Sequence, residues 1–313
     1  MSTTSGSIAD GAEFIGVVNS ISHGGYGAVY EVTSSRDDGR YALKLEQRQF
    51  SRDHYKLMME VEVLREAAER PESTRKHFPV LIDSSDPMPN HMFIVMSLLG
   101  KSLADIKRLR PGKVFSPNTG YYCAIQSLEA IRDLHDLGYV HRDIKPGNFV
   151  IGLARTQFQN IVYMVDFGIA RKFLGTDGKI RNPRKKTRFK GTIRFASVSM
   201  HEGDDLGRKD DCESWVYMLI DLIDQDRLPW HNVEDKRRLR RLKSDAQKNP
   251  KTLFKKDDEN ELREIVVYLA GLHYVDIVDY GWMREMVKRV AKRFQCNLQE
   301  TYDWQLTTGT TST

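Results

Sequence analysis

The chain has 313 residues, of which 40% are hydrophobic, 29% charged and 10% aromatic. This balance is typical of a folded globular protein and excludes collagen-like, coiled-coil and wholly disordered chains, and the length allows one large domain or two of average size. The 48 Lys and Arg residues against 43 Asp and Glu give a formal charge of +5, an excess so small that it excludes no class of partner.

The cysteines and the hydropathy pattern bear on the compartment. Cys123, Cys212 and Cys296 are far apart and lack the C-x-x-C spacing of a zinc or redox site, which fits a reducing compartment. The first residues lack a basic region followed by an apolar one, and no apolar run is long enough to span a bilayer. We therefore expect no membrane partner and a cytoplasmic location, with the nucleus left open as a second one.

The N-terminal part of the chain is predicted to be rich in strands. Residues 1–13 are mostly small and polar, so we expect a disordered tail there. Apolar runs between turn residues then predict strands over 14–18, 28–32, 41–45, 79–82 and 91–96. Between the third and fourth of these, apolar residues at helical spacing, ended by Pro71, predict one helix over residues 55–70.

Helical patterns dominate after residue 100. Apolar residues three or four apart predict a helix over 121–134, with Ser116 and Pro117 as its start signal and Gly138 as its stop. Further helices are predicted at 215–223, 262–272 and 283–294, before a C-terminal tail at 296–313. The pattern predicts an α+β chain, with a small β-rich half and a larger, mainly helical half.

Three features of the β-rich half are uninformative when each is taken alone. The glycines around Gly24 and Gly27 could cradle a phosphate, but taken alone they favour a glycine-rich hairpin turn. Lys44, inside an apolar strand, could simply reach solvent, and Glu60 could lie on an exposed helix face. None of them assigns a function by itself.

A later pair of motifs is far more specific. The run His141-Arg142-Asp143-Ile144-Lys145-Pro146-Gly147-Asn148 is followed, after an apolar strand-like stretch, by Asp166-Phe167-Gly168. This many specified residues at fixed spacing would rarely arise by chance. Together with the glycine loop and the lysine of YALK, all in the same order, the set resembles the protein-kinase signature.

The resemblance covers residues 14–295 and implies a bilobal kinase fold, with an N-lobe over 14–97 and a C-lobe over 101–295. The segments LLGKSLADI, HRDIKPGNF, GTIRFAS and RKDDCESW resemble the casein kinase 1 superfamily. Ala196-Ser197-Val198 and the spacing before YMVDFG are most similar to its tau-tubulin kinase branch. The resemblance implies ATP and Mg²⁺ as cofactors and serine or threonine hydroxyls of proteins as acceptors.

The kinase pattern implies a role for each catalytic residue. Lys44 would hold the α- and β-phosphates and pair with Glu60, for which Glu62 is the alternative. Asp143 would accept the proton of the substrate hydroxyl, and Lys145 would steady the γ-phosphate. The Mg²⁺ ligands would be Asn148 and Asp166, and Thr192 in the G-T motif resembles serine/threonine kinases.

The nucleotide pocket implied by the resemblance is formed by the N-lobe and by the hinge, which is predicted at Leu98-Leu99-Gly100. Met96 occupies the gatekeeper position, and the backbone of Ser97 and Leu99 would meet the adenine edge. The full set of predicted nucleotide contacts is Ile21, Ser22, Gly24, Gly27, Val29, Ala42, Lys44, Met96, Ser97 and Leu99.

Two departures from the kinase pattern stand out. Ser22 replaces the first loop glycine, so the loop would cover phosphate less closely. No A-P-E follows the activation segment, because Ala196-Ser197-Val198 stands there, so the ion pair that usually anchors this segment is not predicted. Asp211 resembles the buried aspartate that supports the catalytic loop, with Asp210 as the competing assignment.

Basic residues cluster in two runs. The first lies between D-F-G and G-T and predicts an anion site formed by Arg184, Lys185, Lys186 and Arg188, which would select acidic or prephosphorylated protein substrates. The second covers residues 236–243, where a solvated charged face is an equal alternative. Nucleic-acid binding is a weaker interpretation of these runs.

The sequence therefore predicts an active serine/threonine protein kinase, expected to be a monomer, that transfers the γ-phosphate of ATP to protein hydroxyls. The alternative is a catalytically weak pseudokinase acting as a nucleotide-binding scaffold, supported only by Ser22. The presence of every charged catalytic residue favours the enzyme.

Overall fold

A computed structural model describes residues 14–24, 27–49, 54–299 and 301–305 of the chain. The calls on residues 1–13, on Gly25 and Tyr26 in the glycine loop, and on the polar residues 306–313 lie outside these ranges. The described chain forms a small β-rich half followed by a larger helical half, which confirms the predicted α+β arrangement.

The N-terminal half is built on one antiparallel sheet of five strands. The strands are β1 (Phe14–Gly24), β2 (Gly27–Ser34), β3 (Arg40–Gln47), β4 (Leu81–Ser84) and β5 (His91–Ser97), in the spatial order β1-β2-β3-β5-β4. Helix α1 (Leu57–Ala68) and the short α2 (Glu72–Arg75) connect β3 to β4. All five strands and the long helix that the sequence predicts are present.

Side-chain alternation along β3 and β5 divides this half into two apolar layers. Ala42 and Ile94 lie on the face that packs against Leu57 and Val61 of α1. Leu43 is directed to the opposite face. Lys44 is paired with Ile94 across the sheet and therefore shares the face of β3 that is covered by α1.

The C-terminal half is a cluster of helices around α4 and α6. The helices are α3 (Leu103–Arg108), α4 (Pro117–Asp136), α5 (Val198–Glu202), α6 (Arg208–Ile223), α7 (Lys236–Lys248), α8 (Asn260–Ala270) and α9 (Tyr280–Arg293). The predicted start signal is confirmed, because Ser116 caps α4 by accepting from the backbone N–H of Thr119. Buried Trp215 of α6 donates its indole N–H to the carbonyl of Ala124 at 2.9 Å, which ties the two central helices together.

Two small strand pairs lie where the halves meet. Strand β6 (Tyr139–Val140) pairs with β9 (Arg171–Lys172), and β7 (Phe149–Ile151) pairs with β8 (Val162–Met164). The segment between β6 and β7 carries the H-R-D-x-K-P-x-N motif, and the segment between β8 and β9 carries D-F-G. The two pairs therefore hold both motifs at the same edge of the helical half.

The chain remains packed beyond α9. Tyr302 stacks on Tyr122 of α4 at 4.0 Å between ring centroids, and Trp304 stacks on Tyr302 at 4.9 Å. The carboxylate of Asp303 accepts from the backbone N–H of Ser116 at 2.8 Å, just before α4 begins. The placing of a tail at 296–313 stays a prediction about the domain boundary, but residues 302–304 pack on the helical half.

The structure describes all three cysteines and the helices named above. All three cysteines are free thiols: Cys123 and Cys212 are buried, and Cys296 is half-buried. Within the described ranges, no helix combines the length and apolar character needed to cross a bilayer.

Candidate active site

A cleft of about 740 Å³ lies between the sheet and the helical half. This volume suits a drug-sized or nucleotide-sized ligand. Nearly all of the predicted nucleotide contacts line the cleft, namely Ile21, Ser22, Gly27, Val29, Ala42, Lys44, Met96, Ser97 and Leu99. Gly24 pairs with Gly27 at the end of the first hairpin.

Three charged side chains meet at the inner end of the cleft. The ammonium of Lys44 lies 2.5 Å from a carboxylate oxygen of Glu60 on α1 and 3.0 Å from one of Asp166. Glu62, the alternative partner, is directed elsewhere and accepts from the hydroxyl of Tyr139 at 2.7 Å. The predicted pairing of Lys44 with Glu60, rather than Glu62, is therefore the one present.

Electrostatics in this cluster favour a charged lysine. Burial alone would lower the pKa of Lys44, but the carboxylates of Glu60 and Asp166 outweigh it and raise that pKa. The pKa of Asp166 is held well below its usual range, chiefly by the charge of Lys44. Burial raises the pKa of Glu60 to about 7, although Lys44 acts in the opposite direction. The cluster thus presents a cation and an ionised carboxylate to the cleft.

Helix α6 supports the catalytic loop, which is the segment His141–Asn148 that carries the H-R-D-x-K-P-x-N motif. The Asp211 carboxylate accepts from the backbone N–H groups of His141 at 2.6 Å and Arg142 at 2.9 Å. Arg142 has a φ of 68°, in the left-handed region that non-glycine residues rarely adopt, so these bonds hold an unfavourable backbone conformation. Asp210, the competing assignment, instead accepts from the backbone N–H of Gly207.

Asp143 lies beside Asn148, a residue that lines the cleft, and has three polar neighbours. Its carboxylate is 2.7 Å from the ammonium of Lys145 and accepts from the hydroxyl of Thr192 at 2.8 Å. Lys145 also donates to that hydroxyl at 3.1 Å, and the Asn148 amide donates to the backbone carbonyl of Asp143 at 2.8 Å. Lys145 and Thr192 are 47 positions apart in the chain, yet both contact the carboxylate of Asp143.

A close backbone approach makes this arrangement possible. Gly191, the residue before Thr192, has a φ of 96°, and a Cβ there would lie 2.6 Å from the carbonyl oxygen of Arg142. Only glycine lets the activation segment lie directly against the catalytic loop. The glycine of the G-T motif is therefore required by packing as well as by backbone conformation.

Asn148 and Asp166 both line the cleft, which suits their predicted role as metal ligands. Asp166 remains 49% exposed as a side chain, and its lowered pKa keeps it ionised. A carboxylate and an amide oxygen are hard ligands of the kind that Mg²⁺ prefers, with nucleotide phosphates supplying further oxygens. The residues present therefore fit a magnesium ion bound together with a nucleotide.

A backbone hydrogen bond constrains the hinge, and a close backbone contact constrains the glycine loop. The N–H of Ser97 donates to the carbonyl of Val80 at 2.9 Å, so this N–H is already engaged within the protein. At Gly27 a Cβ would lie 2.0 Å from the carbonyl oxygen of Leu45, so this glycine is needed for packing against β3 whatever its role toward phosphate.

The predicted anion site divides into two parts. Arg184 is held internally, because its guanidinium donates to both oxygens of Asp205, at 2.7 and 3.2 Å. Lys185, Lys186 and Arg188 are exposed. Arg171 also lies 3.2 Å from Asp205, so a single buried carboxylate gathers two arginines of the activation segment.

Sequence reasoning missed a polar contact between the two halves. The hydroxyl of Tyr139 lies 2.7 Å from Glu62 and 2.8 Å from Glu66, both on α1, and the ammonium of Lys172 lies 2.5 Å from Glu66. These groups join α1 to strands β6 and β9 and so restrain the helix that carries Glu60. Glu62 and Glu66 are four residues apart and so share one face of the predicted helix, which is the only signal that the sequence offers for this contact.

Comparison with known proteins identifies a family and several relatives of the chain. The protein kinase domain matches residues 16–297. A Caenorhabditis elegans protein whose name includes serine/threonine-protein kinase is 34% identical, covering 86% of this chain and 79% of the relative. Serine/threonine-protein kinase spe-6 of the same nematode is 31% identical, covering 92% and 75%. Another nematode relative, whose name includes casein kinase I, is 30% identical, covering 91% and 81%.

Proposed function

The chain belongs to the protein kinase family, and we propose that this serine/threonine kinase phosphorylates acidic or already phosphorylated protein segments. Asp143 of the kinase would receive the acceptor hydroxyl of the substrate. Protein kinases use ATP and generally Mg²⁺. The observation that carries the proposed active site is the cluster of Asp143, Lys145 and Thr192 beside a cleft that ends in Lys44, Glu60 and Asp166.

Each side chain has a separate task in phosphoryl transfer. Lys44, held by Glu60, places a positive charge at the inner end of the cleft, where the α- and β-phosphates would lie. Asn148 and Asp166 would hold Mg²⁺, which neutralises phosphate charge when bound. This part of the site orients the donor and balances its charge.

The acceptor side is formed around Asp143, next to the cleft residue Asn148. The Asp143 carboxylate would accept a hydrogen bond, and then the proton, from the substrate hydroxyl. Lys145, 2.7 Å from Asp143, would place its charge beside the transferred group, and Thr192 fixes the carboxylate through its own hydroxyl. Positioning and charge together account for this type of catalysis, because phosphoryl transfer needs little covalent participation by the protein.

Substrate preference follows from the unpaired cations of the activation segment. Lys185, Lys186 and Arg188 are exposed and carry no ion pair within the described ranges, a few residues before Thr192 in the chain. Exposed cations next to an acceptor site would favour a peptide that carries carboxylates or a phosphate. We place the anion site on these three residues, since Arg184 is already engaged by Asp205.

A peptide series tests this preference. Peptides with phosphoserine, aspartate or alanine shortly before the acceptor serine would be compared, with Asp143→Asn as the catalytic control. We expect the charged peptides to have kcat/KM values about tenfold higher than the neutral one, and the triple variant Lys185→Ala, Lys186→Ala, Arg188→Ala to remove that advantage. The exposed pair Arg237→Ala, Arg238→Ala on α7 is the matched control. Equal rates for all peptides would contradict the preference, and labelling that persists in Asp143→Asn would contradict the catalytic assignment.

Finer classification and assembly are part of the proposal. The similarity to proteins with casein kinase I names supports placement in the casein kinase 1 superfamily. The tau-tubulin kinase branch rests on the Ala196-Ser197-Val198 segment and on the spacing before YMVDFG. We propose a monomer, which sedimentation velocity at micromolar concentration would check, with a concentration-dependent increase in mass contradicting it.

A further inference from the structure

The second basic run contains one lysine that differs from its neighbours. On α7, the side chains of Lys236, Arg237, Arg238, Arg240 and Arg241 are exposed, whereas Lys243 is fully buried. A lysine is rarely buried unless specific partners compensate for the loss of water around its ammonium group. The partners of Lys243 therefore indicate why this cation is kept inside the protein.

Those partners belong to the activation segment. The Lys243 ammonium donates to the backbone carbonyl of Ala196 at 2.6 Å and to that of Ile193 at 2.9 Å. A third contact reaches Nε2 of His201 at 3.3 Å. The rings of Tyr217 and Trp230 lie 5.1 and 5.4 Å from the ammonium, close enough for cation–π attraction.

The two carbonyls lie in a turn that leads directly to the catalytic carboxylate. The backbone N–H groups of Phe195 and Ala196 both donate to the carbonyl of Thr192 at 3.0 Å. The hydroxyl of Thr192 in turn donates to Asp143 at 2.8 Å. Lys243 is thus connected to Asp143 through one hydrogen-bonded turn and one side chain.

Two other side chains, Trp230 and Glu213, hold the same segment through one backbone group each. The Trp230 indole donates to the carbonyl of Arg194 at 3.0 Å, and Glu213 accepts from the N–H of Val198 at 2.8 Å. Lys243 donates to carbonyls at both ends of Ile193–Ala196. The segment has Ala196-Ser197-Val198 in place of A-P-E, so the ion pair that usually anchors it is not predicted. Lys243 anchors the segment in another way, through its hydrogen bonds to backbone carbonyls.

We propose that Lys243 is a positioning residue for the phosphoacceptor side of the active site. Its buried ammonium group clamps the turn Thr192–Ala196 from below, and the turn holds the Thr192 hydroxyl on Asp143. A protein substrate must bind against this turn to bring its hydroxyl to Asp143, whereas the nucleotide binds in the cleft on the other side of that carboxylate. Loss of the clamp therefore weakens acceptor use and leaves nucleotide binding intact.

The electrostatic surroundings are consistent with a clamp that depends on its hydrogen bonds. Burial lowers the pKa of Lys243 to about 7, and the nearby charge of Glu213 only partly opposes this effect. The pKa of His201 is lowered to about 4, first by burial and then by Lys243, so the ring is neutral and can accept. Burial also raises the pKa of Tyr217, which stays uncharged. The polar groups that face the ammonium are therefore acceptors or neutral.

The test replaces Lys243 by Met, which has a similar length and no N–H group, with Lys248→Met at the exposed end of the same helix as the matched control. Steady-state kinetics with a fixed peptide, nucleotide affinity by titration, and amide hydrogen exchange of Phe195 and Ala196 would be measured for each protein. For Lys243→Met we expect kcat/KM for the peptide to fall about ten- to a hundredfold, nucleotide Kd to stay within about twofold, and exchange at Phe195 and Ala196 to accelerate selectively.

Two results would overturn the proposal. One is peptide kinetics and local exchange in Lys243→Met that match those of Lys248→Met. The other is a joint loss of peptide and nucleotide binding with exchange accelerated throughout the helical half, which would make Lys243 a general structural residue. The inference rests on the proposed acceptor site at Asp143, but the exchange measurement needs no substrate, so failure of that site and failure of the clamp are distinguishable.

Discussion

The carboxylate of Asp211 accepts a hydrogen bond from the backbone N–H of Arg142 at 2.9 Å. Arg142 is one of few non-glycine residues with a positive φ in the described chain. Because an amide side chain at position 211 would turn an N–H group toward one of the loop's own N–H groups, Asp211→Asn should release the catalytic loop. We expect kcat to fall at least about tenfold and the free energy of unfolding to fall by about 3 kcal/mol. Kinetics and urea titration measure both quantities.

The exposed Asp136→Asn, at the end of α4, is the control for the Asp211 substitution. It makes the same change of charge without touching the catalytic loop. If the two variants had equal kcat values, the support that Asp211 gives to Asp143 would be of no consequence for catalysis.

The pKa of Glu60 predicts a pH dependence of ATP use. Burial raises this pKa to about 7, so the carboxylate that pairs with Lys44 is lost as the pH falls through 7. We expect kcat/KM for ATP to decrease about tenfold per pH unit on the acid side. Glu60→Gln should have a low value at every pH and lack that limb of the profile. A wild-type profile that is flat from pH 8 to 5.5 would contradict the assignment.

The contacts of Asp205 predict that the activation segment is held in place without being phosphorylated. Its buried carboxylate binds Arg184 and lies 3.2 Å from Arg171, in the way that a phosphate group would neutralise them. Asp205→Asn should leave the arginines without a counter-charge, lower kcat/KM for peptide about tenfold and accelerate amide exchange at Arg184, whose N–H donates to Asp205. Unphosphorylated wild-type protein should be fully active, and a wild type that requires phosphorylation of this segment would disprove the idea.

The aromatic contacts beyond α9 predict a contribution to stability that is separate from catalysis. Trp304 packs on Tyr302 and near Phe115, so Trp304→Ala should lower the free energy of unfolding by about 3 kcal/mol. KM for ATP should remain within about twofold, since these residues do not line the cleft. Thermal and urea unfolding provide the measurement, and an unchanged midpoint would show that the segment is not part of the folded unit.

How far the site could be read from the sequence depended on the distance between interacting residues. Asp143, Lys145 and Asn148 stand within one short motif, so their order alone predicts their proximity. Lys44, Glu60 and Asp166 are far apart in the chain, and only the resemblance to kinases predicted the cluster that the structure contains.

Long-range partners without a motif escaped prediction. Asp205, for example, gathers arginines from β9 and from the following loop, and nothing near any of them signals the contact. A signal did exist for Lys243, since Leu239, Lys243 and Ala246 recur at helical spacing and form the buried face of α7. The charge of the run concealed that periodicity, because a solvated face is the usual fate of consecutive cations.

The uneven exposure of the three thiols makes the protein suitable for site-selective labelling. Cys123 and Cys212 are fully buried, and burial raises the pKa of both thiols, so they should not react in the folded state. Cys296, half-buried between α9 and the segment that carries Tyr302, is then the position at which a thiol-reactive fluorophore attaches to the native wild-type chain. Such a dye would report the docking of the C-terminal aromatic segment without any engineered residue.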